Sequence, residues 1–309
     1  MIKVTPISLP AIPQISSKHV LCLGFFDGIH RGHLTLIEKG KTNNLPLSLL
    51  TFSDETAGLS SPRRKQQLLT PFPIKLQLLE KAGISEVFVL DFNAEVKNLT
   101  PTDFIQKILH PLHPAYVIVG DDYRFGVSAS GDVTTLLNDQ SASFKTVVVP
   151  RLSAEDGHFI SARAIKELLW QGEVEKAKGL LGRDYELRGW VESGHGRGKT
   201  LGFPTANIAL LPRSFLPKNG VYIVRVQIKE QVYQGIANIG IHPSVSQLDQ
   251  PLLEVHLLNF AGDLYEEEVR VFLLKFLRAE KKFSSISQLK SAIASDLESA
   301  EHYFAKKTR

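Results

Sequence analysis

The stretch Val20-Leu21-Cys22-Leu23-Gly24-Phe25-Phe26-Asp27-Gly28-Ile29-His30-Arg31-Gly32-His33 decides the fold of the first half of this 309-residue chain. Its first four residues form an unbroken apolar run, as expected of a strand buried on both faces. Three glycines then let the backbone turn tightly and come close to a ligand. From His33 to Gly40 the pattern becomes helical. A helix beginning near Gly32 would present free N–H groups and the positive end of its dipole to an anion such as phosphate. His30 and His33, three apart, share one face of such a helix. Two imidazoles beside phosphate can donate hydrogen bonds to oxygens on which charge develops.

The same alternation continues outward from that stretch. Leu47-Ser48-Leu49-Leu50-Thr51-Phe52, Val87-Phe88-Val89-Leu90, Tyr116-Val117-Ile118-Val119 and Thr146-Val147-Val148-Val149 read as further buried strands. Between them, Pro73 to Ala82 and Thr102 to Leu109 read as helices, the latter after the start signal Thr100-Pro101-Thr102-Asp103. Strand and helix in alternation imply a doubly wound α/β domain. After Gly182 the pattern changes. Tyr185 to Val191, Gly220 to Val226, Leu252 to Leu258 and Glu268 to Leu274 read as strands separated by Gly and Asn turns, the pattern of a small antiparallel barrel. A last helix begins near Ser285, with Ser285 and Gln288 as a capping box and Ile286, Leu289, Ile293, Leu297 and Ala300 on one face. The expected domains are therefore 1–182 and 183–309.

Composition narrows the function classes. A chain of this length favours two domains. One cysteine, Cys22, excludes an intrachain disulfide framework and cysteine-based zinc sites, and fits a reducing compartment. No apolar run is long enough to span a bilayer, and the N-terminus lacks the apolar core of a secretory signal. The net charge of +4 divides as +1 over residues 1–182 and +3 over residues 183–309, so neither half is strongly biased and a duplex-binding stripe is not expected. Small anionic ligands need only a few local cations.

Two motif groups carry chemistry. Gly24 to His33 resembles the G-x-F-D-G-x-H-x-G-H signature of bacterial FAD synthetases, nucleotidylyltransferases with an H-x-G-H turn. Gly120-Asp121-Asp122-Tyr123-Arg124-Phe125-Gly126 is similar to their second signature. Two departures stand out. Ser53-Asp54-Glu55-Thr56 replaces a Pro-His-Pro. Ile160-Ser161-Ala162-Arg163-Ala164-Ile165-Lys166 replaces I-S-S-T-x-I-R, and Lys166 cannot make the bidentate phosphate contact of an arginine.

In the second half, Gly194-His195-Gly196-Arg197-Gly198-Lys199-Thr200 looks like a P-loop, but Ser193 stands where the first glycine is needed. Pro204 also sits where the helix would run. Leu201-Gly202-Phe203-Pro204-Thr205-Ala206-Asn207-Ile208 instead resembles the L-G-F-P-T-A-N motif of riboflavin kinases. Asn219 to Tyr222, Gly235 to Ser244, Leu253 to Phe260 and Leu277 to Phe283 extend that resemblance. Glu254 and His256 share a strand face because side chains alternate. A carboxylate there can accept the proton of an attacking alcohol, whereas His256 reads as a packed or substrate-lining residue.

The resemblance covers nearly the whole chain and implies a bifunctional riboflavin kinase and FAD synthetase. It implies Glu254, His30 and His33 as catalytic residues. It implies phosphate or ATP contacts from Gly24, Phe25, Asp27, Gly28, Gly32, Ser161, Arg163, Lys166, Gly196, Arg197 and Gly198. Flavin contacts fall to Asp122, Arg124 and Arg278, and Mg²⁺ to Thr205 and Asn207, whose oxygens suit a hard cation. ATP is the co-substrate, riboflavin, FMN and FAD are the other ligands, and the location is cytoplasmic, with no nucleic-acid or membrane partner. Three other readings stay open: a riboflavin kinase whose adenylyltransferase domain is weakened or inactive, a flavin-sensing binding protein, and an adenylyltransferase with another acceptor.

Overall fold

The computed structural model describes residues 1–53, 67–139, 141, 143–192, 203–242 and 250–307. Contacts divide the chain into two compact units, Met1–Ala162 and Arg163–Arg309.

The first unit is built on a six-stranded sheet, β1 (Lys3–Ile7), β2 (Val20–Leu23), β3 (Leu47–Phe52), β4 (Glu86–Leu90), β5 (Tyr116–Gly120) and β6 (Lys145–Val149). The spatial order is β1-β4-β3-β2-β5-β6, and every pairing is parallel. Five of these strands coincide with the apolar runs, because a parallel sheet covered on both faces needs apolar side chains throughout. β1 was not expected. It holds Pro6, which lacks a ladder donor, and it pairs with β4 alone, so it lies at an edge where proline is tolerated.

Helices α1 (Arg31–Lys41), α2 (Phe72–Lys81), α3 (Ala94–Lys97), α4 (Pro101–Phe104), α5 (His110–Leu112) and α6 (Val133–Asn138) accompany the sheet. α4 and α5 are joined by a π-helical turn, Ile105–Leu109. Thr100 caps α4 by accepting from the Asp103 N–H at 3.1 Å, as the start signal suggested. One core cluster centres on Leu21, Phe88, Ile105, Leu109 and Val117, and another on Val20, Cys22, Ile37, Leu49 and Ile118. Between them they cover both faces of the sheet. β3 and β5 flank β2 on opposite sides, so the chain reverses its direction of travel there. In open α/β sheets the crevice at such a switch point takes the ligand.

The second unit opens with α7 (Ala162–Gln171) and α8 (Val174–Leu181). The join expected after Gly182 therefore differs from the division by contacts, which falls at Ala162/Arg163. The reason is packing: the Leu169 carbonyl accepts from the Lys218 N–H at 3.0 Å, the Trp170 ring lies 6.4 Å from Phe215, and α8 packs on barrel strands. Gly182 itself is the left-handed cap of α8, at φ 77°. It marks a helix end, which from sequence resembles a domain edge.

β7 (Tyr185–Glu192), β8 (Ala206–Leu210), β9 (Gly220–Ile228), β10 (Gln231–His242), β11 (Gln250–Leu257) and β12 (Glu268–Arg278) close an antiparallel barrel in the order β10-β11-β8-β7-β12-β9. β8 and β10 lay in stretches recognised as motifs rather than as strands. Gly189 is required where β7 crosses β8, since a Cβ there would stand 2.0 Å from the Ala209 carbonyl oxygen.

The last helix, α9 (Ile286–Lys307), seats Ala300 and Phe304 against Val221, Ile223, Ile236 and Leu274 on the barrel's outer surface. Two details of its start differ from expectation. The Gln288 N–H donates to Ser285 Oγ, but the Gln288 side chain accepts from Ser284 rather than closing the box on Ser285. Ile286 is exposed, and the residues of α9 that pack on the barrel are Leu297, Ala300, Tyr303 and Phe304.

A buried ionic cluster ties β7 to β12. Glu186 accepts from Arg188 at 2.7 Å and from Arg270 at 2.8 and 2.9 Å. Burial raises the Glu186 pKa, yet hydrogen bonds and charge from Arg270 and Arg188 outweigh it and hold the carboxyl below its ordinary value. Glu186→Ala would leave two guanidinium groups without their carboxylate, a loss of about 3–5 kcal/mol. Calorimetry should show earlier unfolding of the second unit. A group with a depressed folded pKa stabilises above its unfolded pKa, and that contribution disappears as pH falls through the folded value. The difference between wild type and variant should therefore be full at neutral pH and shrink below about pH 4.

Candidate functional site

The first candidate site lies where β2 ends at the switch point. Phe26 and Ile29 adopt left-handed backbone at φ 55° and 38°, and Gly28 adopts φ 87°. Left-handed conformations at the two bulky residues cost about 1–3 kcal/mol each and persist only where the surroundings enforce them. Here both side chains are buried, and the turn is bolted to a distant segment. Asp27 Oδ1 accepts from the Thr70 N–H at 3.1 Å, and Thr70 Oγ1 accepts from the Gly28 N–H at 2.8 Å. Thr51 Oγ1 donates to the Phe25 carbonyl at 3.2 Å. The Lys75 ammonium, buried on α2, lies 4.1 Å from the Phe25 ring centroid.

The turn delivers His30 as the N-cap of α1, its Nδ1 accepting from the His33 N–H at 3.4 Å. The two imidazoles stack at 3.7 Å between centroids, and His33 stacks on Phe26 at 4.5 Å. A Cβ on Gly32 would meet the His30 ring at 3.2 Å and the Ile160 carbonyl at 3.8 Å. The structure therefore brings Gly24, Phe25, Asp27, Gly28, His30, Gly32 and His33 together at one helix N-terminus, with Ile160 and hence Ser161 beside it. Arg163 and Lys166 belong to the second unit. Arg163 pairs with Glu167 at 3.0 Å on an exposed surface, and the Lys166 ammonium lies 5.9 Å from the Phe215 ring centroid.

The second signature leaves the end of β5, across the switch point from that turn. Arg151 pairs with Asp121 at 2.9 Å and reaches Asp122 at 3.8 Å, while stacking over Phe159 at 4.1 Å. Arg124 pairs with Asp132 at 3.3 Å. Asp132 caps α6, and its hydrogen bonds from the Thr135 backbone hold its pKa below the ordinary value. Thr70 and Arg151 were not expected here. No local pattern announces Thr70, because the loop it locks lies more than forty residues away along the chain.

The second candidate site lies on the outer face of the barrel. Leu253, Val255 and Leu257 of β11 are buried in its interior, so Glu254 and His256 point outward. Register sets Glu254 opposite Asn207 of β8 and opposite Asn238 of β10. The Glu254 carboxylate is thus flanked by two amides on neighbouring strands, at the usual cross-strand spacing of about 5 Å. Thr205, just before β8, is exposed. His256 Nδ1 bonds the Pro204 carbonyl at 2.7 Å, and its ring meets Phe203 edge-on at 6.2 Å.

Gly196, Arg197 and Gly198 lie outside the described residues, as do Asp54, Glu55 and Thr56. Arg278 is engaged by α9: Nε and Nη2 donate to Asp296 at 2.9 and 2.7 Å, and Nη1 donates to the Ala279 carbonyl at 3.2 Å. The guanidinium also lies over the Phe283 ring, 5.8 Å from its centroid.

Thr205 and Asn207 offer a hydroxyl and an amide oxygen beside a carboxylate. That set suits Mg²⁺, which takes few protein oxygens and keeps phosphate and water as its remaining ligands. Among the described residues no group of three or more His, Cys, Asp or Glu side chains could hold a metal. Such a cluster is not what this mode of binding requires. No helix among the described residues is long and apolar enough to cross a membrane.

Comparison with known proteins agrees with this two-site division. A family model described as FAD synthetase matches residues 12–163, and one described as riboflavin kinase matches residues 181–304. The chain is 32% identical over 301 residues to the bifunctional riboflavin kinase/FMN adenylyltransferase of Bacillus subtilis, covering 95% of each chain. It is 36% identical over 291 residues to the protein of that description from Escherichia coli K12, covering 92% of each. A solved structure described as a macrolide-efflux protein from Streptococcus pneumoniae superposes with a TM-score of 0.89 at 30% identity, over 97% of this chain and 99% of that one.

Proposed function

The chain belongs to the family of bacterial bifunctional riboflavin kinase/FMN adenylyltransferases, and on that premise we propose how its residues divide the two activities. The enzyme phosphorylates riboflavin to FMN and adenylylates FMN to FAD, with ATP as co-substrate of both reactions.

Kinase chemistry is assigned to the barrel, 183–309. The observation that carries this assignment is the pairing of Asn207 with Glu254 across β8 and β11. Glu254 accepts the proton of the ribityl 5′-hydroxyl as that oxygen attacks the γ-phosphorus. Thr205 and Asn207 would hold Mg²⁺, which supplies neutralisation of phosphate charge when bound. Gly196, Arg197 and Gly198 cover the nucleotide phosphates in this reading.

Adenylyl transfer is assigned to residues 1–182. An FMN phosphate oxygen attacks the α-phosphorus of ATP, and pyrophosphate leaves. No protein nucleophile is needed. His30, His33 and the N–H groups at the start of α1 orient the triphosphate and stabilise the charge that develops. Gly24, Phe25, Asp27, Gly28 and Gly32 shape the turn, and Ser161, Arg163 and Lys166 are assigned to phosphate. Asp122 and Arg124 are assigned to FMN at the end of β5, and Arg278 to flavin in the barrel. A cytoplasmic location goes with ATP as co-substrate.

Purified protein given FMN, ATP and Mg²⁺ should form FAD and pyrophosphate in equal amounts. Absence of both products, with riboflavin still phosphorylated, would leave a kinase with an inactive first domain. That second reading draws on the replacement of the family's Thr and Arg by Arg163 and Lys166, with Arg163 engaged by Glu167.

A further inference from the structure

The ladder between β11 and β8 ends at Val255 and Ala206. One step further along the same register His256 would face Thr205, and Leu257 would face Pro204. A proline has no backbone N–H and cannot continue a ladder. At this point the His256 side chain takes over from the backbone, with Nδ1 at 2.7 Å from the Pro204 carbonyl oxygen. A carbonyl only accepts, so Nδ1 carries a proton and donates in this contact. The Phe203 ring meets the same imidazole edge-on at 6.2 Å. Two consecutive residues before Thr205 are thereby attached to one imidazole. That imidazole stands two positions from Glu254 on the same strand face.

We propose that His256 is a positioning residue of the kinase site: its Nδ1–H tethers the Pro204 carbonyl and so holds the Thr205 hydroxyl and the Asn207 amide in line with Glu254. The tether fixes the Pro204 carbonyl one step beyond the last ladder pair, where Pro204 has no N–H of its own to donate. It joins Pro204 to β11 one step beyond the pairing of Val255 with Ala206. The proposal rests on the assignment of Thr205 and Glu254 to phosphoryl transfer, but the tether itself can be observed apart from that assignment.

Hydrogen–deuterium exchange of the full-length protein tests the tether directly. In His256→Ala, exchange should rise roughly tenfold in the peptide covering residues 203–210, for the loss of about one hydrogen bond. The rest of the barrel and the first unit should be unchanged. Riboflavin kinase kcat should fall roughly tenfold as the aligned groups loosen, with FMN adenylyltransferase activity retained as an internal control. His256→Asn puts an amide N–H near the position of Nδ1–H and should recover both protection and rate. Exchange that stays at the wild-type level in His256→Ala, or rises over the whole barrel, would overturn the tether. So would an Asn variant as impaired as the Ala variant. Thr205→Ala separates the two ideas: if it keeps the wild-type kinase rate, the assignment of Thr205 fails while the exchange result still stands on its own.

Discussion

Glu254→Gln is expected to lower riboflavin kinase turnover about 10²–10³-fold, in the range of a lost general base. Gln keeps the shape and polarity of Glu and the ladder pairing with Asn207 and Asn238. It cannot accept the proton of the 5′-hydroxyl. The loss should fall on kcat, with the riboflavin KM within a few-fold of wild type, because the proton moves only as the reaction proceeds. FAD formation from supplied FMN should continue at the wild-type rate, since the group changed lies in the barrel. A variant that phosphorylates riboflavin at the wild-type rate would remove Glu254 from the mechanism.

The second large effect is expected at His30, which has two roles that substitution can separate. Its Nδ1 caps α1, and its ring stacks on His33 at the mouth of the site. His30→Ala should lose both the cap, worth about 0.5–2 kcal/mol, and the imidazole. His30→Asn retains an oxygen able to accept from the His33 N–H, so its thermal unfolding should stay near wild type. Both variants should lose adenylyl transfer about 10²–10³-fold, the usual effect of removing one donor to developing charge. Pyrophosphate release from FMN and ATP measures the rate, and riboflavin phosphorylation reports that the second unit is intact. An Asn variant with full adenylyl transfer would reduce His30 to a helix cap.

Much of both sites could be read along the chain because their parts are local. The turn from Gly24 to His33 needs glycine where φ is positive, at Gly28, and close packing at Gly32, and both needs are written in ten consecutive residues. The core strands were legible for a related reason: a strand buried on both faces has to be apolar throughout. β1 and β8 were not, since an edge strand containing Pro6 and a five-residue strand following Pro204 lack that pattern. The join near residue 182 follows the change from helical pattern to strands, whereas by contacts α8, capped by Gly182, groups with the barrel. No local pattern places Asp296 against Arg278, eighteen residues away on α9.

The sequence by itself determined which segments are strands or helices in the core, where a glycine-rich turn opens onto a helix N-terminus, and which family grammar the two halves follow. Those are properties of periodicity, glycine placement and residue chemistry within about ten positions. Only the tertiary structure decided that Thr70 locks the Asp27-Gly28 turn, that Asn207 and Asn238 flank Glu254, and that His256 holds Pro204. Each of these contacts closes a loop of dozens of residues or depends on strand register. A shift of one residue in register sends a side chain to the other face of the barrel. The choice among registers is made by packing over the whole barrel, which no short stretch of sequence contains.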